Sequence, residues 1–167
     1  MGLGDEKKGI ALGGFMAVGK STVGRLLASA VGLPFVDTDL ELEERFGPIA
    51  VQLGLDGEHL FRLRECEVIS RYCDSRARVL ATGGGAWVMD ESRRRLNATY
   101  QTVVLWAPMD VLETRLKKDA RRPLWGADVK TLFEARKAAY EDADYHIQTE
   151  NRDPESIAQE IVDWLAL

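Results

Sequence analysis

Cysteine is scarce in this chain of 167 residues: only Cys66 and Cys73 are present. Both lie in a stretch with helical patterning, where about 1.5 Å of rise per residue would separate their Cα atoms by about 10 Å, too far for a disulfide. Reduced core thiols are expected. Long apolar runs are missing as well. None approaches the roughly 20 residues of a membrane span, the start "MGLGDEKK" lacks the apolar core of a signal peptide, and Glu6 departs from the myristoylation pattern. These absences lead to the expectation of a cytoplasmic protein with no membrane partner. Excess positive charge is absent too: Lys and Arg number 22 against 27 Asp and Glu, a net charge of −5. Nothing therefore attracts nucleic acid to the chain as a whole, and any anionic ligand must be drawn by local cations. No internal repeat, low-complexity segment or linker interrupts the sequence. With 46% hydrophobic residues, the length suits one domain over residues 1–167 with a full core.

What the sequence does contain is an alternation of short apolar runs with longer helical stretches. The runs "IAL", "PFV", "RVLAT", "TVVLWA" and "YHIQT" read as strands, and "PMDVLETRLKKD", "KTLFEARKAAYEDA" and "DPESIAQEIVDWLAL" read as helices. Asp153 and Pro154 stand where an N-cap and a first helical residue belong. Such alternation implies an α/β fold with a parallel sheet covered by helices on both faces, and ligands in such folds bind at the carboxyl ends of the strands.

Just after the first run stands "GGFMAVGKST", in which Gly14, Gly19, Lys20 and Ser21 match the spacing G-x-x-x-x-G-K-[ST] of a phosphate-cradling loop. Val23, Leu26, Leu27 and Ala30 then recur at helical spacing, so the loop joins a strand to a helix N-terminus, whose unpaired N–H groups attract anions. Lys20 would reach the outer phosphates and Ser21 would offer its hydroxyl to magnesium. The second run leads into "FVDTD". In extended backbone Asp37 and Asp39 would point the same way, one toward a metal-bound water and the other toward the proton of an attacking hydroxyl. Alternatively, Thr38 or Asp39 caps the next helix. The third run ends in "TGGGAW", where Gly83, Gly84 and Gly85 suit a positive φ, a tight turn or a close ligand. Arg62, Arg121, Arg122 and Arg136 supply cations from three segments. "KKDARRPLWGADVK" is long and polar enough for a lid at about residues 117–130.

No NKxD segment reads a guanine base, and no apolar run ends in "DE" as in many ATPases that activate water. Transfer to an alcohol fits better than hydrolysis. The ordered set "GFMxxGKST", "FVDTD", "GExxFR", "GGG", "RRPL" and "RxxxY" resembles the shikimate kinase family from about Gly14 to Pro154. The resemblance implies a three-layer α/β/α P-loop kinase fold with a five-stranded parallel sheet, ATP and Mg2+ as cofactors, and transfer of the γ-phosphate to the 3-hydroxyl of shikimate. It implies that Lys20, Asp39 and Arg122 are catalytic and that Ser21 and Asp37 serve the metal. Gly14, Ala17, Val18, Gly19, Lys20, Ser21, Thr22, Arg115, Arg122, Arg152 and Pro154 would bind the nucleotide. Asp39, Arg62, Gly83, Gly84, Gly85 and Arg136 would bind the acceptor. A monomer with a small-molecule substrate and no nucleic-acid partner is expected.

Two departures accompany the resemblance. Ala17 replaces a customary glycine, which would cost roughly 1 kcal/mol if that position needs a positive φ, and "FGPIAVQLGLDGE" differs from the family's usual acceptor-side rim. A P-loop kinase for another small acceptor, such as gluconate or a nucleoside monophosphate, and a non-catalytic ligand-sensing module are the alternatives that a panel of acceptors would test.

Overall fold

The computed structural model describes residues 9–119 and 128–166. The five apolar runs form five strands: β1 (Ile10–Gly14), β2 (Phe35–Asp37), β3 (Val79–Ala81), β4 (Gln101–Trp106) and β5 (Tyr145–Gln148). They make one parallel sheet in the order β2-β3-β1-β4-β5. β1 is central, with Leu12 in register with Ala81 on one side and Val103 on the other. That position explains why β1 is buried at every residue: a strand covered on both faces and paired on both edges has no solvent side. Because all strands are parallel, Gly14, Asp37, Ala81 and Trp106 end on the same side of the sheet. The chain passes from β3 on one side of β1 to β4 on the other, which opens a crevice at the carboxyl end of β1.

Right-handed crossovers toward opposite edges put helices on opposite faces. Helix α1 (Lys20–Val31), which leads toward β2, packs against α7 (Pro154–Leu165). On the other face lie α4 (Asp90–Thr99) and α6 (Val129–Tyr140), bridged by the 3-10 turn Ala86–Val88. α5 (Met109–Lys118) precedes α6. The architecture is thus the expected α/β layering. The buried stripe of α1 is Val23, Gly24, Leu27 and Ala28, while Ala30 faces solvent, because the helix turns Ala28 rather than Ala30 onto the sheet. α1 stops at Gly32, whose φ of 68° lets its N–H return to Ala28 O. α7 begins as its sequence requires: Asp153 accepts from Ser156 N at 2.8 Å, Pro154 is the first helical residue, and Ile157, Ala158 and Ile161 face the core. Each of those isoleucines stabilises the helix by about 1.5–3 kcal/mol on full burial.

Helices α2 (Thr38–Phe46) and α3 (Ile49–Tyr72) form a separate flank. α3 breaks at Gly57, whose φ of 81° and ψ of 166° are not helical. Leu42, Phe61 and Val68 make a small second core there, with Phe46, Ile49 and Leu53 packed around it. Cys66 lies within α3 and Cys73 follows it; both are free thiols. Arg121, Arg122 and most of the lid expected at 117–130 lie outside the described residues.

Candidate active site

The phosphate loop forms because its backbone can take conformations that most residues avoid. Gly14 has a φ of 131° and Gly19 a φ of 106°, and Gly19 is the N-cap of α1, so the helix N-terminus opens directly onto the loop. A Cβ on Gly14 would stand 2.4 Å from Leu105 O. Ala17 takes a φ of 63°, so the alanine does occupy a left-handed position. Lys20 Nζ donates to Gly14 O and Phe15 O, each at 2.9 Å, folding the ammonium back over the loop. Arg115 on α5 braces the far side by donating to Ala17 O and Val18 O at 3.2 and 3.3 Å.

Asp37 and Asp39 reach the site differently from the strand alternation expected of them. Extended backbone ends at Asp37, because its carboxylate caps α2 by accepting from Asp39 N at 3.0 Å and Leu40 N at 3.4 Å. Asp39 therefore sits in the first helical turn, and the cap is Asp37 rather than Thr38 or Asp39. The other Asp37 oxygen accepts from Ser21 Oγ at 2.5 Å. Thr38, fully buried, accepts from Gly83 N at 3.1 Å and so ties α2 to the triple-glycine turn.

None of the three glycines in that turn has a positive φ. Gly83 and Gly85 need space for charged side chains, and Gly84 needs it for the Met16 backbone, whose nitrogen would lie 3.2 Å from a Cβ. A Cβ on Gly83 would lie 2.6 Å from both Asp39 Oδ1 and Glu65 Oε1, one on Gly84 would lie 3.4 Å from Arg136 Nη1, and one on Gly85 only 2.2 Å from Arg62 Nη1. Asp39, Arg62 and Arg136, expected at the site from three segments, thus converge on one turn. With Ser21 and Asp37 they line a cavity of about 1120 Å³. Arg152 and Pro154 are not on its wall. Arg152 pairs with Glu160 at 2.7 Å beyond the end of β5, and Thr22 is exposed on α1.

Three features of the site carry no role in the sequence itself, although Tyr140 closes the "RxxxY" motif. Glu65 is 1% exposed and accepts from Arg62 at 2.7 Å. Burial pushes its carboxyl above the usual range, and Arg62 offsets only part of this. The glutamate is one turn beyond Arg62, but nothing in "FRLRE" distinguishes it from a solvated partner. Tyr140, raised to about 12 by burial, donates to Gly84 O. Trp87 is fully buried and donates to Thr82 Oγ1 at 2.9 Å, and Thr82 in turn donates to Leu12 O at 2.9 Å. A Cβ on Gly13 would strike the Trp87 indole at 2.5 Å, so the first glycine of "GGF" makes room for that ring rather than for phosphate.

A lysine-bearing loop at a helix N-terminus, at the switch point of a parallel sheet and beside an acidic and basic cavity, defines an ATP-dependent kinase of the P-loop class. The shikimate kinase family model matches residues 16–166, and the chain belongs to that family. It is 41% identical over 165 residues to a shikimate kinase of Pseudoalteromonas atlantica, covering 95% of this chain and 96% of that protein. It is 40% identical over 169 residues to one of Alteromonas mediterranea, covering 97% and 99%. Among solved structures, a shikimate kinase of Acinetobacter baumannii in complex with shikimate superposes with a TM-score of 0.91 at 34% identity, covering 96% of this chain and 93% of that one.

Proposed function

We propose that this chain transfers the γ-phosphoryl group of ATP to the 3-hydroxyl of shikimate, giving shikimate 3-phosphate and ADP. The observation that carries the reading is Arg136. It is 4% exposed, it borders the same cavity as Asp39 and Arg62, and the nearby Glu65 carboxylate is ion-paired to Arg62 rather than to it. A buried guanidinium in that setting suits an acceptor that brings its own carboxylate.

The loop of Gly14, Ala17, Val18, Gly19 and Thr22 would cradle the phosphates, with Lys20 exchanging the Gly14 and Phe15 carbonyls for phosphate oxygens. Arg115 would contact the adenosine side, with Arg152 and Pro154 beyond it. Arg62 and Arg136 grip the acceptor carboxylate, and Gly83, Gly84 and Gly85 form the surface on which the ring rests. Asp39 accepts the hydroxyl proton as the acceptor oxygen bonds to the γ-phosphorus and the bond to the β–γ bridging oxygen breaks. The Ser21 hydroxyl and Asp37 carboxylate, 2.5 Å apart, are hard oxygen donors that fit Mg2+, which when bound would neutralise phosphate charge. Arg122, on the lid of about residues 117–130, is assigned to the transferring phosphate and lies outside the described residues. We place the activity in one domain over 1–167, in a monomer in the cytoplasm.

The test is a coupled assay of ADP release from ATP and Mg2+ with shikimate present and absent, run beside gluconate and nucleoside monophosphates. Release dependent on shikimate alone is the expected result. Equal release with another acceptor would overturn the assignment.

A further inference from the structure

Phe15 belongs to the phosphate loop, yet its side chain leaves the loop entirely. The residue is 2% exposed, and its ring meets Phe133 of α6 edge to face, with centroids 5.2 Å apart at 87°. One turn further along α6 is Arg136, whose guanidinium carbon stands 5.6 Å from the centroid of the Phe15 ring. That is within the range in which the negative face of an aromatic ring attracts a cation, and the attraction grows when water is excluded. Arg136 meets both conditions, standing within that range and being 4% exposed, with the Tyr140 hydroxyl and the more distant Glu65 as its other neighbours. The backbone of the same Phe15 accepts from Lys20 Nζ at 2.9 Å. A single residue thus touches the phosphate-side lysine through its carbonyl and the acceptor-side arginine through its ring.

We propose that Phe15 is a positioning residue for the acceptor: its ring face seats the Arg136 guanidinium toward the cavity and joins that arginine to the phosphate loop. The inference rests on the reading of Arg136 as a carboxylate-gripping residue. A leucine would fill most of the same space and leave the buried guanidinium without a quadrupole to rest on. Acceptor affinity would then fall while nucleotide affinity stayed, because the loop backbone is unchanged.

The experiment replaces Phe15 with mono-, di- and trifluorophenylalanine, which keep the ring's shape and progressively weaken the negative charge of its face, and compares them with Phe15→Leu. The expected result is a KM for shikimate that rises stepwise with fluorine content and reaches roughly two- to thirty-fold in Phe15→Leu, with the KM for ATP unchanged. The same fluorine series in an Arg136→Ala background should be flat. A flat series in the otherwise native chain, or a KM for ATP that rises in parallel, would overturn the seat. If Arg136→Ala alone left the KM for shikimate unchanged, the carboxylate reading would fail and take with it the role of Phe15 in acceptor binding. An active Arg136→Ala effect beside a flat fluorine series would sink the seat alone.

Discussion

Ser21 Oγ donates to Asp37 Oδ2 at 2.5 Å, joining the first turn of α1 to the end of β2. The same Asp37 caps α2 through its other oxygen. Asp37→Asn should keep the cap, since asparagine serves as well there, while weakening the pair proposed to hold Mg2+. The magnesium concentration for half-maximal activity is expected to rise about tenfold, as for other outer-shell changes. A titration of activity against Mg2+ checks this, and an unchanged curve would show that Asp37 only caps.

The proposed function sets Lys20 on the phosphate side of the reaction and Asp39 on the acceptor side. Lys20→Ala removes charge from the transferring phosphoryl group and Asp39→Asn removes the proton acceptor, so each should lower turnover by about a hundredfold or more. Their binding effects should part: ATP weakens in the first and shikimate in the second. Calorimetry with each ligand separates them, and near-normal turnover in Asp39→Asn would remove the assigned base.

Arg136→Ala should cost about 2–4 kcal/mol in kcat/KM for shikimate while leaving ATP binding nearly unchanged, because a charge-assisted contact is lost and its partner stays desolvated. Arg136→Lys should recover only part, keeping charge without the planar fork. Shikimate methyl ester provides the complementary deletion. The native chain should discriminate strongly against the ester and Arg136→Ala far less, since both changes remove one interaction. Equal discrimination would detach Arg136 from the carboxylate.

Ala17 stores strain in the phosphate loop at its φ of 63°. Ala17→Gly should relieve about 1–2 kcal/mol against about 0.4–1 kcal/mol of added freedom in the unfolded chain. The net expectation is a gain of up to about 1.6 kcal/mol, read as a higher urea midpoint. A loss of stability would mean that Arg115, bonded to the Ala17 and Val18 carbonyls, depends on the alanine for its geometry.

Glu65 supplies a pH dependence with a definite sign. Burial raises its carboxyl in the folded state, with Arg62 opposing. A raised group lends stability that is complete below its ordinary value and is lost as pH climbs through the folded value. Glu65→Gln cannot ionise and lacks this slope. The stability of the native chain relative to Glu65→Gln should therefore decline as pH rises from about 4 and then level. Denaturation series for both proteins give the difference, and an increase with pH would show that Arg62 outweighs burial.

What the sequence determined by itself is whatever depends on neighbours along the chain. The runs of β1, β3 and β4 became inner strands because a parallel strand covered on both faces is apolar nearly throughout, while the edge strands β2 and β5 are only partly buried and admit Asp37, His146 and Gln148. The Asp153–Pro154 start of α7 is legible because capping is a three-residue event, and Gly14, Gly19 and Lys20 because a phosphate loop is one continuous turn. Asp37 shows where that legibility stops: alternation in "VDTD" suggests two parallel carboxylates, but a helix nucleates at Thr38 and the first aspartate caps it. Tertiary structure alone decided the strand order, the burial of Glu65, the meeting of Gly83, Gly84 and Gly85 with Asp39, Arg136 and Arg62, and the placing of the Phe15 ring under a guanidinium on α6. Each of these joins segments distant in sequence. Their cause is the space left when α2, α3 and α6 close on the carboxyl edge of the sheet, and local residue pattern carries no record of that space.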